Sequence, residues 1–211
     1  MQYVGRSIPA EGPLSGRAGQ AVLRELLAPG AFVTAILISN YALSALPNVK
    51  LFDLLVFVAG YSLGLRRGAA VAVAAWLFYG SFNPWGATHP QLMVTLMASE
   101  VGYAAMGLLV RRFVSPDCVR LRPSVLSVGL IVAAVVATVA YDVMANAYTG
   151  YFWASIAGSS EYGRWISVAL FNPGALFFMA VHVGSNAMLF PVFAPPLIRG
   201  ADRAKRTLGW G

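Results

Sequence analysis

Polar side chains that could do chemistry lie inside apolar stretches of this sequence. Glu100 interrupts the apolar run 91–110, and Asp142 and His182 interrupt two later runs. A charged residue at the centre of a membrane-spanning helix costs at least about 2.5 kcal/mol, so an acid or a histidine placed there needs a partner or a function. Two acids and a histidine could take part in catalysis, bind a metal ion or bind a polar ligand.

Each of these residues has a second polar residue three or four positions further on. Residues at this spacing lie on the same face of a helix. Because lipid offers no hydrogen-bond partners, we expect three helices to direct these pairs into one polar pocket that opens on the outer side of the membrane. The alternative is that they form interhelical hydrogen bonds that only fix the packing. The pairs are Glu100 with Tyr103, Asp142 with Asn146, and His182 with Asn186.

The composition is that of an integral membrane protein. Of the 211 residues, 58% are hydrophobic and 11% are charged, and the mean hydropathy is +0.68. Soluble domains have about 25% charged residues. The net charge of +7 would suggest nucleic-acid binding in a soluble protein, but here the basic residues cluster between apolar runs. We therefore expect a membrane protein that has no nucleic-acid partner.

Six apolar runs have about the length of membrane helices. Thirteen of the fifteen lysines and arginines fall in segments on the same side as the N-terminus, and only Lys50 and Arg164 fall on the other side. Cytoplasmic segments carry the excess of basic residues. We therefore predict an all-α membrane protein, a six-transmembrane-helix bundle with both termini in the cytoplasm. The runs are 30–46, 51–65, 68–84, 91–110, 125–147 and 174–195.

This topology divides the chain into three parts. Residues 1–28 are expected to be a cytoplasmic tail with a short amphipathic helix at 20–27, and residues 29–198 the six-helix membrane domain. Residues 199–211 are expected to be a basic cytoplasmic tail.

The outer segments 44–50, 83–91 and 148–173 are rich in aromatic residues and asparagine. We expect the last of them to pack over the outer mouth of the bundle, with an interfacial half-helix at 164–171. Such a mouth suits a planar heterocycle that forms hydrogen bonds.

Besides the binding of a small ligand, two other functions fit the same residues. An intramembrane enzyme could use Glu100, Asp142 and His182, with or without a metal ion, and a structural or assembly subunit would need no ligand. The sequence contains no G-x-x-x-x-G-K-[ST] phosphate loop, no H-E-x-x-H and no cysteine cluster, since Cys118 is its only cysteine. We expect no resident metal or cofactor.

Several motifs together resemble the substrate-binding S-components of energy-coupling-factor (ECF) vitamin transporters, over about residues 28–196. The longest is ALPNVKLFDLLVFVAGYSLGLRRGAAVAVAAW. It comprises a short outer loop and a short helix, followed by G-x-x-x-G-L-R-R-G at the beginning of the next helix. The others are NPWG, the G-Y-x-x-x-G at Gly102, Tyr103 and Gly107, YDVMAN, and HVGSNAMLFP.

The resemblance implies a protein that is not itself an enzyme. It implies a multi-pass protein of a prokaryotic plasma membrane that binds a vitamin or related micronutrient from outside. Such a protein associates with a membrane coupling subunit and two cytoplasmic ATPases, and it releases its substrate inward. Riboflavin, thiamine, biotin, cobalamin and queuosine precursors all remain open as ligands.

The resemblance also implies roles for particular residues. The family's alanine-rich contact with the coupling subunit matches Ala31 and Ala35 in the first predicted helix. The family's ligand lies near the outer face, under the loops between helices 1–2, 3–4 and 5–6. The matching residues here are Asn48, Asn83, Trp85, Tyr151 and Trp153.

Overall fold

The computed structural model describes residues 17–208, and the side chains within it from residue 25 to residue 207. This part of the chain folds into seven α-helices, with a short 3-10 helix, Pro116–Cys118, between the fourth and the fifth. The helices are α1 (Arg17–Ala42), α2 (Phe52–Leu63), α3 (Leu65–Phe82), α4 (Pro90–Phe113), α5 (Val125–Ile156), α6 (Tyr162–Phe171) and α7 (Pro173–Leu208).

One end of the bundle carries the connections α1–α2, α3–α4 and α5–α7. The Asn48 side-chain amide donates to the carbonyl oxygen of Phe178 at 3.0 Å, which ties the α1–α2 connection to the beginning of α7. The Tyr41 hydroxyl donates to the carbonyl oxygen of Phe82 at 3.0 Å, which joins the ends of α1 and α3. We call this end of the bundle the Asn48 end.

The opposite end carries the α2–α3 and α4–α5 connections and the last turns of α7. Arg67 forms an ion pair with Glu25 of α1. The Tyr61 hydroxyl donates to the carbonyl oxygen of Val114 at 2.6 Å, so the ends of α2 and α4 lie together. We call this the Arg67 end. Most of the described basic residues belong to it, in the segments 66–67, 111–122 and 199–206.

The outside of the bundle is apolar. Within residues 17–208, four helices contain a stretch that is long and apolar enough to cross a membrane: Glu25–Ala42, Pro90–Phe113, Val125–Ile156 and Pro173–Thr207. Large apolar side chains such as Ile38, Val94 and Val132 are exposed on their surfaces. Because this exterior would be unfavourable in water, the fold is that of a multi-pass membrane protein.

The helix α2 lies in the centre of the bundle. Eleven of its twelve residues are buried, and it packs against α1, α3, α4 and α7. Its length of about 18 Å is shorter than the hydrocarbon core of a membrane, which is about 30 Å. On α4, Gly107 lets the two backbones approach closely, because a Cβ atom at this position would overlap the carbonyl group of Phe57. The interior is thus built around a short helix that other helices surround.

The chain reverses between α2 and α3 at Gly64. Its φ of 85° lies in the left-handed region that favours glycine. Residues 60–64, GYSLG, match the G-x-S-x-G pattern of serine hydrolases. That pattern works at a turn from a strand into a helix, whereas Ser62 lies in the last turn of the helix α2. In this protein Gly64, the last residue of the motif, allows the chain to reverse between α2 and α3.

Three helices extend beyond the apolar runs. The helix α1 is continuous from Arg17, so residues 20–27 are its first turns; the expected tail over 1–16 lies outside the described residues. The helix α5 continues to Ile156, so residues 148–156 are helical instead of a loop. The half-helix expected at 164–171 is found as α6. The helix α7 continues from the apolar run 174–195 through the basic residues up to Leu208.

Candidate ligand-binding site

A histidine between two carboxylates lies at the centre of the bundle. The Nε2 atom of His182 is 2.6 Å from Oδ2 of Asp53, and its Nδ1 atom is 2.9 Å from Oδ1 of Asp142. All three residues are buried, and they come from α7, α2 and α5. An ionised carboxylate can only accept a hydrogen bond, so in each of these two contacts the ring nitrogen would have to be the donor. Both contacts are therefore hydrogen bonds if the imidazole is doubly protonated or if one carboxyl group carries a proton.

An amide continues this arrangement towards α4. The Asn186 side-chain amide donates to Oδ2 of Asp53 at 2.8 Å and to the Thr138 hydroxyl oxygen at 2.9 Å. The Tyr103 hydroxyl donates to the same Thr138 oxygen at 3.0 Å. The Thr138 hydroxyl itself donates to the carbonyl oxygen of Ala134 at 2.7 Å. We call Asp53, Tyr103, Thr138, Asp142, His182 and Asn186 the polar network.

The polar network joins four helices through buried hydrogen bonds. Buried ionised groups are stable only when they are paired and hydrogen-bonded. The arrangement therefore favours one relative position of α2, α4, α5 and α7. Three of its atoms have no hydrogen-bond partner within the described part of the chain: Asp53 Oδ1, Asp142 Oδ2 and Asn186 Oδ1.

Lys50 connects this network with the surface. Its ammonium group is 3.9 Å from Oδ1 of Asp53. It also lies 5.6 Å from the ring centroid of Trp76 and 5.1 Å from that of Tyr141, where the negative faces of the rings attract a cation. Lys50 thus places a positive charge between the buried acids and the Asn48 end.

A cavity of about 560 Å³ opens at the Asn48 end, next to Lys50. The α1–α2 connection forms one side of it, through residues 43–50. Asn40, Trp76, Tyr79, Trp85 and Phe178 form the remainder. Its volume is within the range of about 300–1,000 Å³ that is typical of small-molecule sites. We call it the aromatic cavity.

Glu100 supports a wall of the aromatic cavity from behind. Its Oε2 atom accepts a hydrogen bond from Nε1 of Trp76 at 3.1 Å, and its side chain is fully buried. The apolar ring of Phe52 also stacks on the indole of Trp76, with ring centroids 5.3 Å apart. Glu100 therefore orients an aromatic residue of the cavity without lining the cavity itself.

Searches of protein-family models, curated proteins and solved structures found no match to this chain.

The structure brings five of the residues selected from the sequence into the buried interior. Tyr103, Asp142, His182 and Asn186 belong to the polar network, and Glu100 bonds with Trp76 instead of with Tyr103. Among the described residues, no group of three or more histidine, cysteine, aspartate or glutamate side chains is placed to hold a metal ion. These residues thus form two separate hydrogen-bonded groups.

The residues selected from the outer segments are spread more widely. Asn48 and Trp85 line the aromatic cavity, whereas the Asn83 side chain accepts a hydrogen bond from the backbone N–H of Trp85 and holds its turn. Asn146 is half-buried on α5, one turn beyond Asp142. Tyr151 stacks on Tyr162 of α6, and Trp153 is partly exposed near the end of α5. The last three lie apart from the aromatic cavity.

The sequence reasoning missed Asn40, Asp53, Trp76 and Thr138. Asp53 is the only acid in the run 51–65, which was a usable signal, but its place near the beginning of the run resembles that of a loop residue. Asn40 interrupts the run 30–46 in the same way. Thr138 and Trp76 are ordinary in membrane helices, and sequence spacing does not reveal their partners on other helices.

A second surface feature lies towards the Arg67 end. Ala31 and Ala35 are exposed on α1 and line an apolar groove of about 340 Å³. The groove continues onto α2 through Leu55 and Leu63 and onto α7 through residues 196–204. The small side chains of this groove would let another helix approach closely.

Proposed function

We propose that this protein is the substrate-binding S-component of an ECF-type importer. It captures a vitamin or related micronutrient in the aromatic cavity and delivers it with a membrane coupling subunit and two cytoplasmic ATPases. The observation that carries this proposal is the aromatic cavity itself. It has the volume of a small-molecule site and lies at one end of an apolar helical bundle.

The walls of the cavity fit capture from water at the membrane surface. Trp85 is 80% exposed at its rim, and Trp76 and Tyr79 form an aromatic wall with ring centroids 6.1 Å apart. Aromatic rings bind flat apolar surfaces, and the polar groups beside them fix the orientation of a ligand. The site therefore suits a planar molecule that also forms hydrogen bonds.

The distribution of charge supports a cytoplasmic location of the Arg67 end. The segments 66–67, 111–122 and 199–206 carry most of the described basic residues, while Lys50 and Arg164 belong to the Asn48 end. Basic residues favour the cytoplasmic side. In this orientation the aromatic cavity faces outward, and the short helix α2, which its neighbours shield, together with α3 completes a bundle of six membrane helices.

The polar network and the apolar groove then have distinct roles. The network fixes α2, α4, α5 and α7 beneath the cavity, and Lys50, which lines the cavity, contacts it through Asp53. The groove at Ala31 and Ala35 receives the coupling subunit, because exposed small residues permit close helix packing. Energy for transport comes from the ATPases, since this chain has no phosphate-binding loop.

The direct test is to identify what the purified protein retains. The protein is purified in mild detergent, washed, denatured and analysed for small molecules by mass spectrometry. We expect one compound at near-stoichiometric amount in the wild-type protein. A variant with Trp76→Ala should lose this compound, while a matched substitution on the outer face of α3, Leu77→Ala, should retain it.

Two results would contradict the proposal. One is that the purified protein retains no micronutrient and also binds none that is added to it. The other is equal retention by the Trp76→Ala and wild-type proteins, which would place the ligand outside the aromatic cavity.

A further inference from the structure

Another cavity of about 560 Å³ lies at the Arg67 end, between α7 and the connection from α4 to α5. The proposed import function assigns no role to it. Its charged lining consists of three arginines and two aspartates, which leave one net positive charge: Arg199, Arg203, Arg206, Asp117 and Asp202. We call it the arginine cavity.

Both aspartates of the arginine cavity pair with the same arginine. The Nη2 atom of Arg206 lies 2.8 Å from Oδ1 of Asp117, and its Nε atom lies 2.9 Å from Oδ2 of Asp202. Arg199 and Arg203 are exposed, and neither has an ion-pair partner among the residues that the structure describes. They lie four positions apart on α7, so they share one face of the helix and their like charges repel each other. An anion in the cavity would relieve this repulsion.

This face of α7 changes from apolar to basic along the helix. Four residues follow one another at intervals of three or four positions, which places them on one side of the helix: Val192, Pro196, Arg199 and Arg203. Val192 is 61% exposed on the apolar part of α7, and Pro196 already lines the cavity. Leu121 of the α4–α5 connection also lines the cavity and is 60% exposed. The cavity thus offers unpaired cations next to an apolar surface of a membrane-spanning helix.

We propose that the arginine cavity binds the phosphate group of an anionic phospholipid through Arg199 and Arg203, with an acyl chain along the face of α7 that carries Val192. A guanidinium group donates parallel N–H bonds to two phosphate oxygens. Basic pockets between membrane helices bind anionic lipid head groups in this way. A free phosphate has the chemistry of the headgroup, but it leaves the adjoining apolar surface unused. The site lies apart from the aromatic cavity and does not depend on the proposed function.

Native mass spectrometry of the full-length protein in a non-ionic detergent tests this site. The protein is titrated with a phosphatidylglycerol and with a phosphatidylcholine that has the same acyl chains but no net charge. A third titration uses glycerophosphoglycerol, the headgroup of phosphatidylglycerol without its chains. We expect phosphatidylglycerol to bind at least about tenfold more tightly than either of the others, because each arginine near a membrane surface strengthens the attraction of an anionic lipid severalfold.

Substitution of the two arginines provides the second arm of the experiment. In the double variant Arg199→Gln and Arg203→Gln, we expect the preference for phosphatidylglycerol to fall below about threefold. The control is the double variant Arg120→Gln and Arg122→Gln. It removes the same charge from exposed positions of the α4–α5 connection that do not line the cavity, so it should keep the preference. Neither variant breaks an ion pair among the described residues, and both should keep the thermal midpoint of the wild-type protein.

Equal binding of the two lipids by the wild-type protein would overturn the inference, and so would a variant at Arg199 and Arg203 that keeps the preference. Equal losses in both double variants would mean that the lipid responds to the charge of the whole Arg67 end and not to this cavity. If glycerophosphoglycerol binds as tightly as phosphatidylglycerol, the site takes a soluble phosphate and the lipid assignment is wrong. None of these results bears on a micronutrient retained in the aromatic cavity, so the two proposals fail separately.

Discussion

The Nε2 atom of His182 lies 2.6 Å from Oδ2 of Asp53, although 129 residues separate the two in the chain. This contact joins the short central helix α2 to α7. Asp53 also accepts a hydrogen bond from Asn186, whereas Asp142, on the other side of the imidazole, accepts one from His182 alone among the described residues. The two carboxylates therefore differ in how much of the polar network depends on them.

The first prediction compares these two acids. Asp53→Ala would leave His182 and Asn186 without their shared acceptor, and we expect it to cost about 3–5 kcal/mol of stability. Asp142→Ala removes one contact and should cost about 1–3 kcal/mol. Thermal and denaturant unfolding of the detergent-purified variants would measure the difference. Equal losses in the two variants would mean that the network is not organised around Asp53.

The second prediction concerns the bond between Glu100 and Trp76. In Glu100→Gln, the amide oxygen can accept the same hydrogen bond from the indole, so we expect stability to change by less than about 1 kcal/mol. Glu100→Leu leaves the indole N–H unpaired and should cost about 1–3 kcal/mol. It should also weaken ligand binding, because Trp76 lines the aromatic cavity. Unfolding and ligand titration of both variants provide the test, and a Gln variant as damaged as the Leu variant would show that the charge matters.

The polar residues show how far the sequence predicts such a site. Helical spacing indicated that His182 and Asn186 share a face, and both are fully buried in one network. The same spacing linked Asp142 with Asn146, yet only Asp142 is in the network. Spacing reports which residues share a face, but which neighbouring helix that face meets depends on packing. Asp53 is the clearest case, because its partners come from a helix more than 120 residues away.

The lengths of the helices were predictable only in part. The apolar runs located α1 to α5 and α7, because hydrophobicity determines which residues can lie in a membrane. Hydrophobicity does not determine where a helix ends. The helix α7 therefore continues into the basic residues before Leu208, and α5 continues into the aromatic segment 148–156. The extension of α5 lies where the composition changes without a strong helix-breaking signal, whereas α7 continues through the helix-breaking pair Pro195 and Pro196.

The third prediction tests the close packing of α2 and α4 with two glycines of one helix. Gly107→Ala places a methyl group against the carbonyl group of Phe57, and we expect a loss of about 1–3 kcal/mol. Gly102→Ala, five residues earlier, adds its methyl group where no atom lies within 4 Å. It should be neutral or stabilise the helix by up to about 1 kcal/mol. Unfolding measurements on both variants decide the point, and a tolerated Gly107→Ala would contradict the packing described for these helices.

The fourth prediction tests the membrane orientation. In a background with Cys118→Ser, which removes the exposed native thiol, single cysteines replace exposed residues at the two ends of the bundle. We expect a membrane-impermeant maleimide to label Ala87→Cys and Ser160→Cys in intact cells, but Ser115→Cys and Thr207→Cys only after permeabilisation. All four positions are exposed, so access to the reagent reflects the side of the membrane. Labelling of Ser115→Cys in intact cells would exclude a cytoplasmic Arg67 end.

The last prediction concerns the apolar groove. Replacing both Ala31 and Ala35 with leucine fills the groove with side chains that keep another helix at a distance. We expect the double variant to lose co-purification with the coupling subunit while it still retains the small molecule bound by the wild-type protein. The control is the double variant Ala105→Leu and Ala140→Leu, which adds the same bulk to exposed positions on α4 and α5. If both double variants assemble normally, the partner docks elsewhere; if both fail, the added bulk acts through the membrane and not through the groove. Loss of assembly in the first variant alone would assign the docking surface to α1.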